Sequence, residues 1–356
     1  MRGAGGWHRS PPALSPIGGT QLSTIKDVAR SAGVSVATVS HVLNDTRFVR
    51  DDTKQRVLQA VADLGYVSNP VAQSLRTGRS RTIGLVMSAV MNPYFNDVVT
   101  SIEKAAVASG YSLLLADHRD EHELEYRSVL NLCGRKVDGL LLQPSGEPGR
   151  SLEFIRSQDV PTVFVDRFPP EHGVGTFDFV GTENVDATMA VVRHLLEHGH
   201  RRIGMVCGQA GSSTTTERVA GYEAALAGAG IALDPALVEP GESDEVKAEQ
   251  ATYTLLSRPD PPTALFSANN RMTIGVMRGL RNRGIVPPEG MALGVFDDFP
   301  WADLFSPQLT CASQQTDQIG ATSVALLLAR IADPGRPRED IRFPGHFQRR
   351  SSCGCH

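Results

Sequence analysis

The sequence predicts an α/β chain in two parts: an N-terminal three-helix module built on a helix-turn-helix, then a core of two doubly wound α/β subdomains. Three observations predict it. Residues 24–44 read as a capped helix, a glycine turn and a second short helix. From Thr82 onward, apolar runs alternate with amphipathic segments, and the alternation occurs in two consecutive series. The charge is also divided. The 356 residues carry a net −4, yet residues 1–81 hold 11 Arg and Lys against 5 Asp, a balance of +6, which leaves −10 for the rest. At 41% hydrophobic residues the chain can bury a large core and should contain two or three domains.

In TIKDVARSAGVSVATVSHVLN, Thr24 with Asp27 three residues on is a capping pattern, because a hydroxyl and a carboxylate can satisfy the orphan N–H groups of a first turn. Ile25, Val28, Ala29 and Ala32 follow at i, i+3, i+4 and i+7 and share one face, and Gly33 suits the left-handed residue that ends a helix. Ser35 can cap the second helix, whose Val39, Val42 and Leu43 turn inward and leave Ala37, Ser40 and His41 outward, with Val36 at the boundary. Two short helices joined by such a turn form the motif that lays its second helix in the DNA major groove. A basic module on an acidic core fits that use, since phosphate contacts supply sequence-independent affinity. Short helix pairs also occur in ordinary helical proteins, so the motif is one strand of the argument.

Residues 1–22 are rich in Gly, Pro and Ser, with no apolar run long enough for a signal peptide or a membrane span. They read as a disordered extension of a cytoplasmic protein. The five cysteines, Cys133, Cys207, Cys311, Cys353 and Cys355, are odd in number and scattered, so reduced thiols are expected. A third helix should follow Asn44, with Val57, Leu58, Val61 and Leu64 inward and Gly65 as its stop. Asn69-Pro70 can then open a short helix through Val71, Ala72 and Leu75 before Gly78, too short to be stable unless packed on something.

In the core, TIGLVMSAV, YSLLLAD, VDGLLLQP and VPTVFVDR read as strands, then FVGT, RIGMVCG, TALFSAN and ALGVFDD, separated by helices such as Phe95 to Ser109, Glu121 to Cys133 and Thr216 to Ala229. Strands alternating with helices imply parallel sheets covered on both faces. Ligands of such sheets bind beyond the strand carboxyl ends. The search therefore falls on Asp166, the segment from Gly208 to Thr216, Asn269, Asn270, Asp297 and Asp298.

With these residues in view, the sequence resembles the lactose-repressor (LacI/GalR) family of bacterial transcription regulators, from Ser23 to Ser352. The resemblance rests on the helix-turn-helix segment above and on RVLQAVADLGY, NPVAQSLRTGRSRTIGLV, GHRRIGMV, ERVAGY, SANNRMTIG and FDDFPWADLFSPQLT in order. It implies a DNA-binding headpiece at 23–68, a hinge helix and linker at 69–81, and a periplasmic-binding-protein-like core at 82–350 that closes on a small effector. The first subdomain is expected at about 82–181 and 314–338, the second at about 182–313 and 339–350, and a tail at 351–356.

Carried over position by position, the resemblance puts Val36, Ala37 and His41 at the recognition-helix positions that face base edges. Valine and alanine can read only methyl groups and groove shape, so operator choice should lean on His41, Ser40 and Asn44. Ser35 and Thr38 match phosphate contacts, and Thr24 joins the DNA-binding set. Leu75 matches the hinge leucine that wedges into the minor groove, with Ala72 close behind, which predicts a pseudo-palindromic double-stranded operator with a central CG. For the effector the resemblance implies Tyr94, Phe95, Asp166, Arg218, Asn269 and Asp297, with Thr214 from GQAGSSTTT beside them. Such a set suits a sugar or sugar acid, and Arg167, as a second positive charge, tilts the expectation towards an acidic sugar.

Two departures from the family pattern stand out. Arg50 replaces a capping residue before the third helix, so Asp51 is expected to take over the cap, and Asn270 replaces the Asp that commonly follows Asn269. No heptad-patterned tail follows the core, so a homodimer is expected.

His194, His198 and His200 sit at metal-like spacing, but Gly199 reads as a helix stop, and Cys353, Cys355 and His356 read as a frayed end. No Ser-His-Asp context, catalytic carboxylate pair or phosphate-loop lysine occurs, so no enzyme activity, cofactor or metal is expected. The expected function is an effector-controlled repressor of a carbohydrate catabolism or uptake operon. The alternative is a sugar-binding protein without regulatory DNA binding.

Overall fold

A computed structural model describes residues 23–44, 47–66, 78–88, 92–169, 177–299, 301–302, 304 and 306–354. The chain divides into two compact units, Met1–Gly78 and Arg79–His356. The hinge segment with Ala72 and Leu75 lies outside the described residues.

In the first unit, α1 (Ile25–Ala32) opens with a complete capping box. The Thr24 N–H donates to Asp27 Oδ2 at 3.0 Å, and Asp27 N–H donates back to Thr24 Oγ1 at 3.4 Å. Gly33 closes the helix at φ 65°, a conformation that costs glycine little. Ser35 Oγ accepts from Thr38 N–H at 3.1 Å and starts α2 (Val36–Asn44). The helix α3 (Asp51–Asp63) packs on both through Val57 and Ala60, which meet Val28 and Val39 in a small apolar core. Two expectations are corrected here. Leu58 is exposed, because the buried positions Thr53, Val57 and Ala60 run at i, i+4 and i+7, and residue 58 lies a further 100° round the helix. Asp51 does not cap α3: Arg50 stands at the N-cap without a side-chain bond, and Asp51 and Asp52 lie in the first turn, where they favour the positive end of the helix.

The second unit holds two six-stranded sheets of matching order. The first contains β1 (Thr82–Met87), β2 (Ser112–Asp117), β3 (Gly139–Leu142), β4 (Thr162–Val165), β5 (Asp178–Thr182) and β11 (Asp340–Phe343), in the order β11-β5-β4-β3-β1-β2, all parallel. The second contains β6 (Ile203–Cys207), β7 (Val238–Pro240), β8 (Ala264–Ser267), β9 (Ala292–Phe296), β10 (Thr310–Ser313) and β12 (His346–Gln348), in the order β12-β10-β9-β8-β6-β7, with β12 antiparallel. The central strands are buried along their length, as a sheet covered on both faces requires.

Helices α4 (Pro93–Ala108), α5 (His122–Gly134), α6 (Gly149–Ser157) and α11 (Thr316–Ala332) belong with the first sheet. Helices α7 (Asn184–Glu197), α8 (Ser213–Gly228), α9 (Glu245–Leu256) and α10 (Asn270–Asn282) belong with the second. The chain passes between the subdomains after β5, after β10 and after β11. That third passage differs from the expectation that residues 339 onward belong to the second subdomain. Asp340–Phe343 pairs with Asp178–Thr182 in the first sheet, a long-range pairing that local sequence does not encode. The thiol expectation is corrected at one position: Cys353 is disulfide-bonded, whereas Cys133, Cys207 and Cys311 are free.

Two helix pairs of the second subdomain approach through glycine. A methyl group at Gly275 in α10 would collide with the Glu245 carbonyl at the start of α9, and one at Gly221 in α8 with the Val185 carbonyl of α7. Gly275→Ala is therefore expected to cost about 1–3 kcal/mol, whereas Gly134→Ala, at a position with open space around it, should be neutral or slightly stabilising. Thermal unfolding of the two variants checks the contrast.

Candidate functional site

The carboxyl ends of the parallel strands of both sheets converge on one cavity of about 230 Å³. The first subdomain lines it with Ser88 after β1, Asp117 at the end of β2, and Asp166 and Arg167 after β4. Asn92, Tyr94 and Phe95 add the start of α4, and Arg119 and Asp120 the loop before α5. The second subdomain adds Gly208 after β6, Thr214, Thr215 and Arg218 from α8, Ser243 between β7 and α9, Ala268 and Asn269 after β8, Arg271 from α10, and Asp297 after β9. All eight effector positions expected from the sequence meet in this one space. Gly208 and Thr215 fall in the segment from Gly208 to Thr216 that the sequence pointed to, whereas Ser88, Asn92, Asp117, Arg119, Asp120, Ser243, Ala268 and Arg271 are additional; their position at strand ends or helix starts is the signal that could have found them.

Each wall is held by buried hydrogen bonds. Asp166 sits at φ 68° and accepts from the Tyr94 hydroxyl at 3.0 Å and from Gln143 Nε2 at 2.7 Å. Burial and the nearby Asp166 and Asp297 carboxylates push the Tyr94 phenol well above its ordinary range, so it remains a donor. Gln143 also accepts from Ser88 N–H at 3.0 Å, and its carbonyl accepts from His118 Nε2 at 2.9 Å. His118 is buried, and Asp120 N–H donates to its Nδ1 at 3.1 Å, which fixes the Nε2–H tautomer. Burial holds its pKa below 6.5 in spite of Glu125 and Asp120, so the ring is a neutral brace for the loop carrying Arg119 and Asp120.

On the opposite wall Asp297 sits at φ 73° and accepts from Gln314 Nε2 at 2.5 Å, while Gln314 Oε1 accepts from Thr182 Oγ1. Asn269 caps α10 by accepting from Met272 N–H at 2.9 Å and donates to Ser243 Oγ at 3.0 Å. Arg218 is 7% exposed and lies 3.7 Å over the Phe296 ring. Its Nε donates to Asn184 Oδ1 at 3.0 Å and its Nη1 to the Ala268 carbonyl at 2.5 Å.

Among the described residues the charge lining the cavity is balanced, four arginines against four aspartates. Arg167 does not bring the extra positive charge expected of it, because its Nη1 lies 2.5 Å from Asp120 Oδ1 and its Nε 3.7 Å from Asp166. Burial opposes the charge on Asp120, but the Arg167 guanidinium outweighs it and holds the carboxyl below its ordinary value. Asp298 turns away from the cavity to a two-point pair with Arg350, at 2.8 and 2.7 Å. Asn270 is fully buried and donates weakly to the Asp298 carbonyl, at 3.4 Å.

In the first unit the α2 positions separate as the pattern requires. Val39 and Val42 are buried, Val36 and Ala37 are exposed, and Ser40, His41 and Asn44 are half-buried. Asn44 Nδ2 donates to the Ser40 carbonyl at 2.7 Å, and the Ser35 and Thr38 hydroxyls lie 2.9 Å apart at the helix start. The three histidines at metal-like spacing take separate partners: His194 meets Cys353 Sγ at 3.2 Å, His198 the His194 carbonyl, and His200 Thr263.

Residues 24–69 match the family model for bacterial regulatory proteins of the lacI family, and residues 80–350 match that for periplasmic binding proteins and the sugar-binding domain of the LacI family. The chain belongs to the LacI family. It is a DNA-binding transcriptional repressor by that membership, in a family of regulators and not of enzymes. Among curated relatives, the transcriptional repressor PurR of Haemophilus influenzae strain PittEE is 34% identical over 311 residues, covering 87% of this chain and 91% of the relative. PurR of Aliivibrio fischeri strain MJ11 is 33% identical over 334 residues, covering 93% and 98%. Among solved structures, the lac repressor dimer bound to operator and the anti-inducer ONPF superposes with a TM-score of 0.82 at 27% identity, covering 94% of this chain and 99% of that one. The complex of the regulator CelR with cellobiose gives 0.70 at 30% identity, covering 93% and 99%. A headpiece at 24–69 removes the alternative of a binding protein without DNA recognition. No helix among the described residues is long and apolar enough to cross a membrane.

Burial raises the pKa of Asp297 above 3.8 although Arg218 and Gln314 pull it down. A carboxyl that holds its proton more tightly in the folded state costs nothing below its unfolded pKa, and its full cost is reached once pH rises past the folded value. Asp297→Asn should therefore melt higher than the parent at about pH 7.5 and lose that advantage at about pH 4. An Asn variant that melts lower at the upper pH would show that attraction to Arg218 outweighs burial.

Proposed function

We propose that this repressor responds to a neutral, polyhydroxylated effector of sugar type held between its two core subdomains, and that it controls a carbohydrate catabolism or uptake operon in the cytoplasm. The observation that carries the reading is the cavity wall. Equal numbers of acids and bases among the described lining residues, with Arg167 held by Asp120, offer many donors and acceptors without excess charge, which suits vicinal hydroxyls better than the acidic sugar expected from Arg167 alone. Among the described residues the aromatic lining is confined to Tyr94 and Phe95, neighbours on one wall with ring centroids 5.0 Å apart. The described residues of the second subdomain offer no flat ring opposite them, so a planar base would find a stacking partner on one side at most. The solved relatives with cellobiose and, in an Enterococcus faecium regulator, with ribose agree with a sugar.

A second reading has support of its own: the curated relatives named PurR suggest a purine-related effector. In either case the DNA arm of the account is the same. Two headpieces of a homodimer, the assembly named for the lac repressor structure, face two halves of a pseudo-palindromic operator. Val36, Ala37, Ser40, His41 and Asn44 meet base edges, Thr24, Ser35 and Thr38 the phosphates, and Leu75 with Ala72 the central minor groove. Exposed Val107, Leu114 and Leu115 give the first subdomain an apolar surface for a second copy.

Thermal shift with D-ribose, D-glucose, cellobiose, D-gluconate, hypoxanthine and guanine tests the effector class. A neutral sugar should raise the melting temperature of the parent, and Asp297→Ala should lose that shift while remaining folded. A shift with gluconate alone would restore the acidic sugar, one with a purine alone would replace the sugar reading, and a shift that survives Asp297→Ala would place the site elsewhere.

A further inference from the structure

The first two turns of α8 carry Thr214, Thr215 and Arg218 into the cavity, yet they are bonded across to the other subdomain. Glu217, next to Arg218, accepts from Arg342 Nη1 at 2.6 Å, and Arg342 lies on β11 of the first sheet. The other Glu217 oxygen accepts from Asn184 Nδ2 at 2.8 Å, and the same Asn184 accepts from Arg218 Nε at 3.0 Å. The Arg342 guanidinium is fixed in turn: it lies 5.3 Å over the Phe168 ring and 5.0 Å over Phe179, and its Nε donates to Asp340 at 3.0 Å. Phe168 follows the cavity residues Asp166 and Arg167, and its N–H donates to Ser213 Oγ, the first residue of α8, at 3.1 Å. Side chains of Glu217 and Arg342 are 16% and 22% exposed, so their bond is shielded and charge-assisted.

We propose that Glu217 and Arg342 are positioning residues that form a strap across the two subdomains, docking the first turn of α8 on the first subdomain and thereby setting where Arg218 stands in the cavity. The strap rests on the reading of this cavity as the effector site. It is placed to couple occupancy to closure: a ligand that draws on Arg218 loads Asn184, Glu217 and, through them, strand β11. The Phe168 N–H bond to Ser213 Oγ lies beside the Glu217–Arg342 pair, so the strap acts where the subdomains already touch.

The test reads the strap without any ligand, by hydrogen–deuterium exchange on the full chain. Arg342→Met keeps the apolar stem on Phe168 and Phe179 but removes the bond to Glu217. Amides of residues 182–186 and 213–218 should exchange about tenfold faster, while those of β3 stay as in the parent. Arg342→Lys, which keeps the charge, should recover most of the protection, a rescue that loss of packing alone would not give. Should Arg342→Met fail to fold, Glu217→Gln carries the same measurement. Unchanged exchange at 213–218, or Lys behaving as Met, overturns the strap. Failure of every compound in the thermal-shift panel would instead count against the effector reading and leave this result standing.

Discussion

Two aspartates held in the left-handed backbone region organise the core. Asp166 follows β4 and Asp297 follows β9, equivalent strands in two sheets of the same order, at φ 68° and 73°. Aspartate tolerates this region better than most residues, but the conformation persists only where surroundings enforce it. Here they do: each carboxylate is gripped by a glutamine, the buried Gln143 on one side and the half-buried Gln314 on the other. The turn aims both carboxylates beyond the strand ends, into the space between subdomains, and the remaining cavity residues are arranged around that pair. Strain at a site that also keeps a buried acid is a pattern common at binding sites, and it supports the proposed effector reading.

Much of this was legible in the sequence, and the reason differs by region. The helix-turn-helix could be read because its signals are local: Thr24, Asp27, Gly33 and Ser35 act within three residues of themselves, and the structure shows each doing so. The strands could be read because sheets covered on both faces need continuous apolar runs. The eight cavity residues were reached through strand ends and the family motifs, and they share one space. What escaped was set by distance or by phase. Leu58 is apolar but lies off the buried stripe, and Asp51 fell inside the helix it was expected to cap. Arg167 looked like a free charge because Asp120, its partner, is 47 residues away. The place of β11, and with it the Glu217–Arg342 bond across 125 residues, follows from tertiary pairing alone.

Repression controlled by a small molecule needs a ligand that prefers one of two core states, and moving an equilibrium from 1:99 to 99:1 takes a preference of about 10⁴-fold, near 5.5 kcal/mol. On the proposal that this cavity is the effector site, its walls can supply such a difference. Its ligand-facing groups come from both subdomains, so a full set of contacts exists only when the two walls stand at one spacing. Several of those groups are also bonded to the passages between subdomains, Asp297 through Gln314 to Thr182 and Arg218 through Asn184 to Glu217. On the same proposal, a ligand that competes for these groups would act on the passages between subdomains through one or two hydrogen bonds.

The central claim is that occupancy of this cavity governs the headpiece's hold on its operator. Fluorescence anisotropy at fixed salt, with the DNA upstream of the protein's own gene titrated first with protein and then with the compound that shifts its melting temperature, measures this most directly. The account predicts tight binding that the compound changes in the parent and leaves unchanged in Asp297→Ala. Operator binding indifferent to a compound that demonstrably fills the cavity would contradict it.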